Sequence, residues 1–526
     1  MTTNYNDVNV LVTGVSLPAC CRPQSNPSTA KYFSHSSSSY LLLAKVLRVN
    51  SVAELSYVAW KCPSASTSSI TSNASPQLKT LHSQWIPQRH VSTVCPATPD
   101  ANKALGRGPH DSKFEDDNPR VELWSSTSGS MGRFTVAKQS IHMGERAFQA
   151  AAFAVIVRQS LTPRRCHWCF TGLRKKALQC GECQFTRYCS RDCLSADAPL
   201  HAFQCNPLRA LKCRGDNAGV GDVETVRLAL AVLSMELFVR NPHALDLLVV
   251  HRQREEGQEK EINAAVNFIV QMTNGTLDPK HVRDTLERVR CNAHPLYLDG
   301  VTCVGSGVFP EAAMALNHSC LPNVVPSFDP RTRTLAFHAI AEIFPGGAVE
   351  YSYIDLLQTR KRRQSLLAQG FGFDCICERC MKETAKERNQ LDEDEEEETQ
   401  VLEKLMQLVH SSHSDVTQRL IRMKNEYQYV FDRNDEAQFA LYTAEMQIAR
   451  AQSDWSHVIE AAKALLHVWT RCALPENYHT TETLNLQIHF AAKKLGKTEV
   501  AKMSAQRVSS IRQICGYSYP EALFDN

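Results

Sequence analysis

The chain has 526 residues, a formal net charge of +3 and 20 cysteines. That length suits two to four domains with sizeable cores, and the near balance of charge argues against a nucleic-acid or membrane-surface partner. No apolar run is long enough to cross a bilayer, and the opening "MTTNYNDVNVLV" lacks the basic start of a secretory signal, so cysteines at close spacing read as metal ligands of a reducing compartment.

Residues 1–115 are rich in Ser, Thr, Asn and Pro, with Asp7, Glu54 and Asp100 the only acidic residues up to Ala101. Such low-complexity composition predicts disorder. From Pro119 the texture changes. Residues 119–160 hold short β-rich runs broken at Gly144, with Ala147–Val157 read as one buried strand. Residues 166–205 are a Cys/His block. Within 206–290, "ETVRLALAVLSMELFVR" repeats its apolar residues at helical spacing. Residues 291–357 return to strands and turns, 358–385 carry a second Cys cluster, and 386–400 include the run Asp392–Glu398, read as a solvated linker. Residues 401–526 read as helix after helix, similar to stacked tetratricopeptide-type hairpins but without a clean repeat of about 34 residues. The expected class is multidomain α+β.

The block "CHWCFTGLRKKALQCGECQFTRYCSRDCLSADAPLHAFQC" holds Cys166-x2-Cys169, Cys180-x2-Cys183, Cys189-x3-Cys193 and His201-x3-Cys205. Seven thiolates and one imidazole make two four-ligand tetrahedral sites, as structural zinc requires. Buried free cysteines do not fall at such spacings by chance. The block resembles a MYND zinc finger along its whole length. The resemblance implies interleaved pairing, with Cys166, Cys169, Cys189 and Cys193 on one zinc and Cys180, Cys183, His201 and Cys205 on the other. Both ions would be saturated by protein, hence structural, and would supply much of the folding energy of so small a segment.

Further along lie "CNAH" (Cys291–His294), "GSGVFPEAAMALNHSCLPN" (Gly305–Asn323), "EYSYIDLL" (Glu350–Leu357) and "GFGFDCICERC" (Gly370–Cys380). In this order around a MYND block they resemble the SET and MYND domain-containing (SMYD) protein-lysine methyltransferases. The resemblance covers roughly residues 120–385, and the family also has a helical C-terminal region. It implies a β-rich SET fold split by the finger and a helical insert, a zinc-binding post-SET segment, and S-adenosylmethionine as methyl donor.

By the same resemblance Asn317 and His318 lie against the donor. Asn292 and the turn glycine Gly132 also belong to its site, although Ser130 stands where the family turn has its first glycine. Cys375, Cys377 and Cys380 offer three thiolates, and Cys320 supplies the fourth, for a third structural zinc. Tyr353 matches the catalytic tyrosine and touches both donor and lysine channel. Phe371 lines that channel, where relatives often have tyrosine, and Phe373 lies near the donor. Ordinary core packing competes for each aromatic residue. The chemistry is a direct displacement, which needs a neutral lysine amine although its free pKa is near 10.4; an apolar channel beside a sulfonium lowers it.

The expected function is transfer of a methyl group to a lysine of a histone or another protein, by a monomer of cytoplasm and nucleus, with a proline-containing peptide as a further partner at the finger. The rival is a catalytically silent scaffold that binds peptides through finger and helices. A nucleic-acid reading rests on the small basic patch Leu173–Cys180 alone, which reads equally as a solvated face.

Overall fold

A computed structural model describes residues 105–107, 117–126, 132–174, 176–214, 219–240, 245–246, 248–250, 256–300, 302–387, 393–409 and 415–517. Ser130 and nearly all of the segment expected to be disordered lie outside them. The strands are β1 (Leu105–Arg107), β2 (Val121–Ser126), β3 (Arg133–Ala137), β4 (Arg146–Ala151), β5 (Ala154–Val157), β6 (Leu178–Gln179), β7 (Arg187–Tyr188), β8 (Ala293–Tyr297), β9 (Cys303–Val308), β10 (Asn317–His318), β11 (Val324–Asp329), β12 (Thr334–Ala339) and β13 (Glu350–Tyr351). Helices α1 (Arg191–Arg214), α2 (Val223–Val239), α3 (Glu256–Met272) and α4 (Pro279–Asn292) separate β7 from β8, and α5 (Pro310–Ala315) precedes β10. After β13 come α6 (Arg360–Phe371), α7 (Glu378–Glu387), α8 (Glu393–Val409), α9 (Val416–Glu426), α10 (Gln428–Arg433), α11 (Asp435–Ala451), α12 (Trp455–Arg471), α13 (His479–Lys494) and α14 (Thr498–Cys515).

Three small antiparallel sheets, β1–β2–β3, β11–β12–β4 and β5–β9–β8, surround a parallel pair, β10–β13. Among the strands, two details differ from the sequence reading. Leu105–Arg107 is a strand, held by backbone pairing to β2 that composition does not report. The apolar run at 147–157 is two strands in two sheets, β4 on β12 and β5 on β9. The break falls at Ala152 and Phe153, whose N–H groups donate to the Arg333 and Val308 carbonyls. Gly305 of β9 allows the close approach to β5, because a Cβ there would fall on the Ile156 carbonyl oxygen.

Aromatic rings of the β11–β12–β4 sheet meet others in one core: Phe148 against Phe337, and Phe328 against both Phe309, between β9 and α5, and the finger's Phe170. Arg333, in the turn between β11 and β12, stacks its guanidinium 3.6 Å from the Trp168 ring centre and donates to the Trp168 carbonyl. These contacts fix the finger to the sheets. Helix α2 starts where Asp222 accepts the Thr225 N–H, and its run of Leu, Ala and Val is buried between the other insert helices and β5.

At the other end α11 to α14 pack each on the next, with Asn434 and Asp454 capping α11 and α12. Their core also takes Tyr297, Val325, Ile340, Leu356 and Leu357 from the strand region. The acidic run read as a linker instead opens helix α8 at Glu393. Glutamate is a good helix former, and negative charge suits a helix N-terminus. Among the described residues no helix is long and apolar enough to cross a membrane.

Candidate active site and metal centres

Each Cys-x2-Cys turn in the finger closes the same way. The N–H of Phe170 returns to the Cys166 carbonyl, and that of Gln184 to the Cys180 carbonyl; both residues are left-handed, with φ of 61° and 51°. That conformation is unfavourable for a bulky Phe, and complete burial of its ring against Phe328 offsets the cost. The turns bring paired sulfurs to Cys189, just after β7, and to ligands on α1. His201 and Cys205, one helical turn apart, share a face of α1.

Two sets gather: Cys166, Cys169, Cys189 and Cys193, and Cys180, Cys183, His201 and Cys205. A third comprises Cys320, Cys375, Cys377 and Cys380; within each set the donor atoms all lie within 4.8 Å of one another. Four thiolates on zinc at bonds of about 2.3 Å have edges of about 3.8 Å. The Sγ separations of 3.5 Å for Cys169–Cys189, 3.8 Å for Cys180–Cys205 and 3.6 Å for Cys320–Cys380 match that scale. The donor chemistry and spacing fit zinc in all three sets.

The third set draws together three segments. Cys320 follows β10, Cys375 and Cys377 precede α7, and Cys380 lies within it. Gln364 of α6 grips Cys375 at two points, donating to its carbonyl at 2.6 Å and accepting its N–H at 2.7 Å. Arg363 is fully buried; its Nε donates to Cys320 Sγ at 3.2 Å, Nη2 to Cys380 Sγ at 3.6 Å, and the same Nη2 pairs with Glu383.

β10 and β13 pair in register, Asn317 with Glu350 and His318 with Tyr351. The Asn317 amide donates to the Arg133 carbonyl at 2.9 Å, next to Gly132, which is left-handed at φ 60° with open space where a Cβ would be. Buried His318 accepts the Tyr353 N–H at Nδ1 (3.0 Å) and faces Cys320 Sγ with Nε2 (3.3 Å). The Tyr353 hydroxyl donates to the Leu316 carbonyl at 2.6 Å. Burial pushes that phenol well above its ordinary range, so it stays protonated. Its ring lies 4.9 Å from Phe371, 6.4 Å from Phe373 and 5.3 Å from His318, centre to centre.

Asn292 stands apart from this group in its bonding. It ends α4, and its amide donates to the Val249 and Arg288 carbonyls. The fold also brings in residues that spacing did not single out. His294 Nδ1–H donates to the Asn292 carbonyl, so Nε2 accepts the Tyr351 hydroxyl at 2.9 Å. Asn323 ties loop to strand through the Glu350 N–H (2.9 Å) and the Ala348 carbonyl (2.7 Å). Glu350 is half-buried, and burial first, then the negative Cys377 thiolate, push its carboxyl up to about 7. A carboxylate three residues before Tyr353 is no motif, and only the strand register reveals it.

Residues 166–205 match the family model of the MYND finger. Among curated proteins, the human N-lysine methyltransferase SMYD2 is 31% identical over 265 residues, covering 48% of this chain and 59% of that protein. The Bos taurus N-lysine methyltransferase SMYD2 is 31% identical over 266 residues with the same coverage, and the Danio rerio N-lysine methyltransferase SMYD2-A is 28% identical over 271 residues, covering 49% and 60%. The chain thus spans about six tenths of the length of the curated relatives it matches.

Proposed function

From a chain that carries a MYND finger and is related to the SET and MYND domain-containing lysine methyltransferases, we propose a protein-lysine N-methyltransferase that uses S-adenosylmethionine. The observation that carries this reading is the convergence on one parallel strand pair of Asn317, His318 and Tyr353, walled by Phe371 and Phe373. The residues present fit the donor. Gly132 leaves open space beside Arg133, whose carbonyl takes the Asn317 amide, and Glu350 offers an unmatched carboxylate to a cationic ligand. Asn317 and His318 would hold the donor, with Gly132 beside them.

When bound, S-adenosylmethionine supplies a methyl group on a sulfonium leaving group. The remaining work belongs to the chain. The rings of Tyr353, Phe371 and Phe373 form an apolar, electron-rich wall that excludes water and suits a cationic or newly neutral amine. With its proton committed to the Leu316 carbonyl, the Tyr353 oxygen presents lone pairs to the amine and orients it. His318 fixes the Tyr353 backbone, and the third zinc set fixes His318 through Cys320. The zinc sets are filled by protein ligands and play a structural part. The target protein, histone or other, would present its lysine at this aromatic wall. The finger remains available for a proline-containing peptide.

The test is transfer of labelled methyl from S-adenosylmethionine to a panel of histone and non-histone proteins by zinc-loaded enzyme, beside Tyr353→Phe. The wild type should label a lysine. The variant should lose about 10²-fold or more in kcat while its zinc content and donor affinity stay unchanged. Donor binding without transfer to any acceptor would favour the peptide-binding scaffold.

A further inference from the structure

The unmatched carboxylate of Glu350 goes beyond what the family resemblance assigns. Several buried carboxylates of the described fold have a cationic partner: Glu436 with Arg362, Glu236 with His281, Glu482 with Arg512. Glu350 is half-buried and makes no side-chain hydrogen bond or ion pair among the described residues, so its carboxylate is left open to a ligand.

Register shows where the side chain points. Paired positions in a parallel ladder share a face, so Glu350 lies on the Asn317 side and His318 and Tyr351 on the other. The Asn317 amide reaches the Arg133 carbonyl, so that side looks toward β3 and the Gly132 turn. The neighbourhood is electronegative. Cys377 is its charged neighbour, and four thiolates around a divalent ion keep two net negative charges, of which Arg363 offsets one. Such surroundings favour a cation.

We propose that Glu350 is a specificity residue of the site, its carboxylate pairing with a primary ammonium held beside Asn317. This rests on the methyltransferase reading. Under that reading two groups carry the ammonium: the amino-acid moiety of the donor and the target lysine.

The experiment is calorimetric titration of zinc-loaded full chain, wild type, Glu350→Gln and Glu350→Asp, with S-adenosylmethionine and with 5′-methylthioadenosine, which lacks the amino-acid moiety. The peptide KM is measured alongside. In E350Q, donor affinity about tenfold weaker with methylthioadenosine unchanged assigns the donor ammonium. Unchanged donor affinity with a raised peptide KM assigns the lysine. E350D keeps the charge and should recover toward wild type. Equal losses in E350Q and E350D, or no change in either measurement, overturn the proposal while wild-type binding leaves the underlying reading standing. A wild type that binds no donor removes both.

Discussion

His318 serves two sides of the loop with one ring. Its Nδ1 accepts the Tyr353 N–H, so the proton sits on Nε2 and points at Cys320. A neutral imidazole thereby links the aromatic wall to the third cysteine set. His294 plays a comparable part between the Asn292 carbonyl and the Tyr351 hydroxyl, stacked on the Tyr351 ring. Burial holds His294 down at about 4, from an ordinary 6.5. Between those values the unfolded chain binds more protons than the folded one, so stability rises with pH across the window. The contribution is complete above 6.5 and is lost as pH falls through about 4, about 3 kcal/mol at most. Melting temperatures at pH 7.5 and pH 5 should therefore fall more steeply for the wild type than for His294→Gln. Parallel slopes would assign the acid sensitivity to other groups. At this scale the sequence was partly legible. Asn317, His318 and Tyr353 stand in recognisable strings, whereas His294–Tyr351 and Glu350 acquire meaning through register between strands far apart in the chain.

Elements make the cysteine sets, and here local chemistry was readable. A Cys-x2-Cys turn presents two sulfurs whatever surrounds it, so the finger's ligands could be picked out by spacing, and the fold gathers them. The support around them was not readable. "RKRR" (Arg360–Arg363) looks like a solvated basic run, yet its last guanidinium is fully buried against two of the thiolates. Burial of a charge is a tertiary matter, decided by Glu383 and the sulfurs that receive it. Periodicity was equally silent on the split between β4 and β5, because a continuous apolar run is the same string whether one sheet or two bury it. Arg363→Met keeps the apolar stem and removes the donors. We expect three zinc ions per chain in the wild type and release of one from the variant at chelator concentrations the wild type withstands, a loss of about 10–100-fold in affinity. Identical chelator curves would show that the guanidinium does not support the metal.

Across the whole molecule, one buried carboxylate of the C-terminal helices reaches a helix that builds the site. Glu436, in the first turn of α11 and 3% exposed, accepts the Thr359 N–H at 3.0 Å and pairs with Arg362 at 2.7 Å. It therefore caps α6, the helix that carries Arg363 to the thiolates and Phe371 to Tyr353. Glu436→Gln swaps one acceptor for a donor facing those groups. Urea unfolding should show a loss of about 3 kcal/mol, with zinc released from the third set earlier in the titration. A change within about 0.5 kcal/mol would mean the helices merely lie alongside. The helical texture of this region was evident from spacing, but its contact with the site depends on side chains at the first turn, which no repeat pattern encodes.

The central claim is that the Asn317–His318 strand holds the methyl donor, and calorimetric titration of zinc-replete chain with S-adenosylmethionine, wild type beside Asn317→Ala, tests it most directly. Saturable one-to-one binding by the wild type, lost in the variant at unchanged zinc content, is the result predicted. Well-folded, zinc-loaded wild type that takes up no donor, or binding that survives the substitution intact, would contradict the account.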